Sequence, residues 1–298
     1  MDTKNHYFIL TIISVMFFAA LLVAPSQASV PNPESTYGWI EYLFLQGETD
    51  QTIHEGLKFI YFHPTHRNSD QVRMFIGKSY FKNTEYEKAA EIFTGIAKGG
   101  SKQEIREDAA LWVCNSLLEQ GDLLGARRRC DEFLSGYPES SIRDRILYQK
   151  AWSYLKDWKW ESAEDTFGRI DSDSDIYASS QEMIKETQIL RQQKEKSPLA
   201  AGLLSGVLPG SGYIYAAKWQ TGIAAFIVNG IFIGASIEAF DQDLPVLASI
   251  IGLFELGWYS GTIYGSVNSA RQYNYKMREE KLQSLNQRFT IPILRMNF

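Results

Sequence analysis

Four groups of residues have types and spacings that suggest chemistry. Cys114 and Cys130 are the only cysteines in the 298-residue chain. In an oxidising compartment two such thiols can form a disulfide; equally, cysteine serves as a small buried core residue. His63 and His66, in "HPTH", offer two imidazoles to a metal. That stretch falls where one helical unit ends, so a surface turn is expected and no metal is assigned. The glycine-rich "LLSGVLPGSGYIYAAKWQTG" (203–222) has the look of a phosphate cradle. A Walker loop needs a lysine and Ser/Thr directly after its glycines, and "YIYAA" comes after Gly212 instead. A dinucleotide fingerprint needs a strand before it and a βαβ unit around it, and neither is legible. Asn229 and Glu255 lie in the middle of apolar segments. A carboxyl at membrane depth points to ion or proton handling; a protonated Glu255 bonding Asn229 or a backbone carbonyl would simply lock helices together. HExxH, GxSxG and paired-cysteine metal patterns are absent from the sequence. The chain is therefore read as non-enzymatic, with no catalytic residue, no cofactor and no metal assigned.

The elements that hold these residues divide sharply in composition. Residues 30–196 are polar and charge-rich, whereas 198–268 are strongly apolar, which predicts a soluble domain and then a membrane domain. The net charge of −5 argues against nucleic acid as a partner, because phosphate binding needs a clustered basic surface. Residues 1–29 read as a signal peptide: one lysine, the apolar run Tyr7 to Ala24, then small Ser26 and Ala28 before a cleavage point. The run is also long enough to serve as an uncleaved N-terminal anchor. Either reading exports the chain from residue 30 onward.

The soluble half repeats at a spacing of 37 residues. Ala89, Ala126 and Ala163 coincide under that shift, as do Gly77, Cys114 and Ala151, then Tyr80, Leu117 and Tyr154, then Phe93, Cys130 and Phe167. Small residues where two backbones touch, with large ones beside them, are required by paired antiparallel helices. The pattern resembles the tetratricopeptide repeat, in which a helix pair recurs every 34 residues and stacks into a solenoid. That resemblance implies a repeat domain over 36–190 that binds peptides or other envelope proteins. A degenerate earlier unit is expected where Gly47 and Pro64 precede Gly121 and Pro138 by two periods, with Thr52 in place of the small alanine. Trp112, Tyr148 and Trp152 are candidates either for a groove or for the core.

Three apolar segments lie beyond the repeats, roughly 198–217, 219–238 and 245–267. The last two are long enough to span a bilayer and flank the acidic loop at Asp241 and Asp243. Within the tail 269–298, residues 271–288 carry Arg271, Lys276, Arg278, Lys281 and Arg288 against Glu279 and Glu280. The positive-inside rule predicts that tail in the cytoplasm. With the repeats exported, 198–217 would have to cross once, bent at Pro209. Glycines four apart (202, 206, 210; 230, 234; 257, 261, 265) suggest close helix packing in a three-helix bundle. Leu203, Leu204, Ser205, Leu208, Pro209, Gly210, Gly212, Tyr215 and Gly222 resemble the L-P-G-x-G-Q-x-Y signature of an uncharacterised bacterial membrane-domain family, similar in style to the two-transmembrane-helix domain. The family's glutamine is Tyr213 here. Members fused to periplasmic repeat modules fit the same layout.

The expected protein is all-α: a periplasmic helical-repeat solenoid, then a three-helix transmembrane bundle, in the inner membrane of a Gram-negative bacterium. Protein binding in envelope assembly or maintenance is the function this suggests. A membrane-active insertion or transport accessory using Glu255 is the alternative.

Overall fold

A computed structural model describes residues 32–289. The expected signal segment 1–29 and the end of the tail lie outside them. Every element among the described residues is a helix. The chain forms two compact units, one ending at Glu85 and one beginning at Tyr86.

The first unit holds α1 (Pro33–Gln46), α2 (Thr49–Phe62) and α3 (Ser69–Lys82). Asn32 caps α1 by accepting from the Glu34 N–H, and Pro33 occupies the first turn, where no amide hydrogen is needed. Ile40, Phe59, Val72, Phe75 and Ile76 form the core. A Cβ on Gly56 would meet Ile76 Cγ1 at 2.7 Å, so the α2 backbone approaches α3 as closely as a glycine permits. Thr52, at the alanine position of the degenerate unit, is fully buried, and its hydroxyl donates to the Glu48 carbonyl at 2.8 Å. The hydroxyl is satisfied within its own helix, which is why threonine serves there. His63 and His66 sit in the α2–α3 turn, with His66 Nε2 3.2 Å from Glu34 and its Nδ1 accepting from the Asn68 N–H.

The second unit continues the pattern with α4 (Tyr86–Gly99), α5 (Gln103–Gln120), α6 (Leu123–Gly136), α7 (Arg143–Lys156), α8 (Trp160–Gly168) and α9 (Tyr177–Gln192). Ala89, Ala126 and Ala163 are fully buried, as are Phe93, Cys130 and Phe167. Gly77, Cys114 and Ala151 are buried too, while Tyr80, Leu117 and Tyr154 are each half-buried. Equivalent positions have equivalent environments, as a helical repeat demands. Tyr148 is fully buried against Phe167, and burial pushes its hydroxyl pKa up to about 12. Trp112 and Trp152 are also core residues, 3% and 4% exposed.

A second repeat is conformational and does not show in the residue types. Turns pass through left-handed φ at Gly47 (78°), Thr84 (62°), Gly121 (88°) and Trp158 (58°), each 37 residues from the last. Glycine adopts this region freely; for Thr84 and Trp158 it costs about 1 kcal/mol. Thr84→Gly should therefore raise stability by roughly 0.5 kcal/mol after glycine's extra unfolded-state entropy is subtracted. A denaturant midpoint lower than the parent's would contradict this.

The remaining helices are α10 (Pro198–Val207), α11 (Ser211–Tyr215), α12 (Trp219–Asp241) and α13 (Pro245–Phe289). Only α12 and α13 are long and apolar enough to cross a membrane among the described residues. The expected bundle of three spanning helices is thus corrected to two helices of spanning length and a short companion.

Candidate functional site

The short companion explains itself from its sequence. Ser197 caps α10 by accepting from the Ala200 N–H, and Pro198 starts the helix. Ten residues rise about 15 Å, half a bilayer core. Pro209 then forces Leu208 into extended backbone, and Gly210 turns at φ 85°. Pro209 therefore ends the helix rather than bending it. The chain comes back through α11: the Gly212 N–H donates to Ser205 Oγ at 3.0 Å, and the Ser197 N–H reaches the Tyr215 hydroxyl at 2.9 Å. Residues 197 and 215 are neighbours, so the segment returns to the end it left. This corrects the expected single crossing.

The signature residues are what make the return compact. A Cβ on Gly210 would run into the Gly222 carbonyl, and one on Gly212 into the Ala201 carbonyl. Ser205 also pairs with Ser266 at 2.6 Å, and the Tyr259 hydroxyl donates to the Gly206 carbonyl at 3.1 Å, pinning α10 to α13. Tyr213, in place of glutamine, lies over Gly265, where a Cβ would strike its hydroxyl. The other glycine stripes behave differently. A Cβ on Gly230, Gly234, Gly257 or Gly261 would meet nothing within 4 Å. Their expected role in packing the bundle is not seen within the chain.

The two polar residues of the apolar helices are not joined. Asn229 is fully buried, and its amide donates to the Ala225 carbonyl (2.6 Å) and to Thr262 Oγ1 (3.2 Å). Glu255 is 6% exposed, and neither carboxylate oxygen has a hydrogen-bond partner among the described residues. The anticipated Glu255–Asn229 lock gives way to an Asn229–Thr262 bond, because those side chains share a face of the α12–α13 hairpin. Cys130 Sγ lies 2.9 Å from Cys114 Sγ, both thiols are free and buried, and burial pushes the Cys130 thiol up.

The feature that organises the second unit is the far half of α13. At 45 residues it spans about 67 Å, twice a bilayer core. Its apolar half pairs with α12, while residues beyond about 270 lie on the repeats. Tyr275 meets the Trp158 ring edge-on at 5.5 Å, and the Arg278 guanidinium stands 4.6 Å from the same ring. Arg278 also pairs with Glu195. Leu282 and Leu285 are 7% and 3% exposed, packed in one cluster with Leu118, Trp152 and Leu155. Arg288 bridges Glu182 and Glu186, each at 2.9 Å. Tyr275, Arg278, Leu282, Leu285 and Arg288 recur at three- and four-residue steps, so they form one helical face. That face lies in a groove bounded by the ends of α5 and α7 and by α9.

Three further hydrogen bonds tie the same end together. Asn274 exchanges hydrogen bonds with the Lys196 backbone at 2.8 Å in both directions, and Lys218 Nζ donates to Gln272 at 2.7 Å. Lys196, Lys218 and residues 272–288 therefore sit at the repeat end of the hairpin, and Asp241 and Asp243 at the other. The tail expected opposite the repeats is packed against them instead. Sequence reasoning missed the groove because the apolar count of 271–289 is low. The left-handed Trp158, where the equivalent turn positions 47 and 121 are glycine, was the available signal: strained backbone is kept where its side chain is needed.

No protein-family model matches the chain, and no curated protein matches it. Among solved structures it is similar to the apo form of RapI, at 13% identity and a TM-score of 0.47 over 92% of this chain and 72% of that one. It is also similar to a tetratricopeptide repeat protein from Parabacteroides merdae, at 14% identity and a TM-score of 0.44 over 85% of this chain and 98% of that one. The helical repeat is read from the chain's own periodic burial and turns.

Proposed function

We propose that the protein is a membrane-tethered helical-repeat scaffold that holds protein partners at the surface of the bacterial inner membrane, on the periplasmic side, in assembly or maintenance of the envelope. The observation that carries this is the docking of α13 on the repeats. One continuous helix leaves the bilayer and packs against the repeats of the second unit, so those repeats are held at a set height rather than swinging on a linker. The candidate export segment at 1–29 favours the periplasm. The basic residues near the hairpin run against the usual charge bias, but Arg288 is paired with Glu182 and Glu186 of the repeat domain and Arg278 with Glu195 in the linker that follows it. A folded exported domain thus offers the tail partners on its own side.

Compartment has a chemical readout in the Cys114–Cys130 pair. In the periplasm the pair is expected to be oxidised, closing a loop that is about 3 kcal/mol stabilising. Acid-quenched cells, denatured and treated with a polyethylene-glycol maleimide, should show no adduct until reductant is added. Two adducts without reductant would place the pair in a reducing compartment. The scaffold role is tested by photo-crosslinking residues placed at exposed repeat positions of the full chain in cells. Discrete adducts of defined mass are expected, and their absence at every repeat position would contradict the reading.

A second reading rests on Glu255, whose buried carboxyl has no partner among the described residues: a membrane-active insertion or transport accessory. Glu255→Gln would then abolish the cellular phenotype, whereas under the scaffold reading it leaves adduct formation unchanged.

A further inference from the structure

The groove that receives the α13 tail is not perfectly filled by it. A cleft of roughly 520 Å3 remains between them, bordered by Leu118, Trp152 and Lys156 on the repeats and by Glu279, Leu282 and Asn286 on the tail. The buried Trp158 Nε1 has no acceptor among the described residues. The cleft opens to solvent between charged Lys156 and Glu279, whereas the indole N–H is the kind of buried donor that native proteins rarely leave unused. The groove nonetheless has a definite chemistry. Its floor is apolar at Leu118, Trp152 and Leu155, Trp158 offers an aromatic platform at one edge, and Glu182, Glu186 and Glu195 supply acidic contacts. The occupant matches each part in turn: Arg278 and Tyr275 on the platform, Leu282 and Leu285 on the floor, Arg288 at the acids.

We propose that this groove is a receptor site for an amphipathic helix of a partner protein, with two large aliphatic residues three apart flanked by arginines, and that residues 275–288 occupy it as an intramolecular stand-in. This deepens the scaffold reading and rests on it. The tail shows which ligand chemistry the groove accepts: paired leucines on its apolar floor and arginines at its acidic edge. A partner helix must displace the tail, so access to the groove depends on the tail's release. A tethered ligand competes at an effective concentration in the millimolar range, so a free helix of comparable intrinsic affinity is strongly suppressed while the tail is seated.

The probe is a fluorescein-labelled synthetic peptide of residues 271–289, titrated by anisotropy onto the full chain in nanodiscs. Wild type is expected to bind it about 30-fold or more weakly than the variant Leu282→Asp/Leu285→Asp, whose own tail no longer seats. Equal affinity for both, or no binding to the variant while its helical circular dichroism is retained, overturns the proposal. If the double variant loses its fold, Tyr275→Ala/Arg278→Ala removes only edge contacts and should give a smaller gain in the same direction; no gain overturns the proposal. Crosslinked partners mapping away from α5, α7 and α9, together with a failed peptide titration, would overturn the groove assignment and leave the scaffold reading intact. Failure of both experiments removes the scaffold reading as well.

Discussion

Gly212→Ala is expected to destabilise the packing of α10 and α11 on the α12–α13 hairpin by about 3 kcal/mol or more, while Gly230→Ala leaves it unchanged. Overpacking a tight site typically costs about 1–3 kcal/mol, and more where nothing can yield. At Gly212 the obstacle is the Ala201 backbone carbonyl, with Ser205 Oγ a further 2.6 Å contact. Ser205 is fully buried and held by the Gly212 N–H and by Ser266, so it has no rotamer to retreat to without breaking a buried hydrogen bond. At Gly230 the added methyl meets nothing within 4 Å. A fall of roughly 10 °C in the detergent-solution melting midpoint for Gly212→Ala, against no change for Gly230→Ala, is the expected contrast. Equal midpoints would mean that α10 and α11 do not pack as a returning pair.

Leu282→Asp with Leu285→Asp should release the tail from the repeats. Each leucine buries nearly its whole side chain, worth about 1.5–3 kcal/mol, and a buried unpaired carboxylate adds its own cost. Together they outweigh the edge contacts, since exposed ion pairs such as Arg288 with Glu182 contribute at most about 1 kcal/mol. The released segment contains Arg278, Lys281 and Arg288, all trypsin sites. Cleavage between 276 and 288 is expected to accelerate at least about 100-fold, in line with the opening free energy lost. Unchanged cleavage would show that the two leucines do not hold the tail.

The repeats were legible because their signals are local and periodic. Ala89, Ala126 and Ala163 repeat with their neighbours, and Gly47 and Gly121 mark turns that need left-handed backbone. Thr84 and Trp158 at the same turn positions hid the period there, because tertiary context overrode local preference. The signature around Pro209 is legible in the sequence, but its fold is not. An apolar stretch 198–217 has the length of a span, and only the contacts of Gly210 and Gly212 show that it doubles back. The groove was hidden for a related reason. Charge alone puts Arg278 and Arg288 across the bilayer, and their partners Glu195, Glu182 and Glu186 come from elements 83 to 106 residues earlier. Glu255 stands out in the sequence as a carboxyl within an apolar segment and is buried in the structure, but its depth did not reveal that Asn229 turns to Thr262 instead.

The repeats and the tail of α13 share one side of the membrane in this account, with the 241–243 loop on the other. Single cysteines at Glu139, Lys276 and Gln242, in a chain with Cys114 and Cys130 replaced by alanine, test this through a membrane-impermeant maleimide applied to intact spheroplasts. Glu139→Cys and Lys276→Cys should label together, and Gln242→Cys only after permeabilisation. Labelling of Glu139→Cys without Lys276→Cys, or the reverse, would contradict the account.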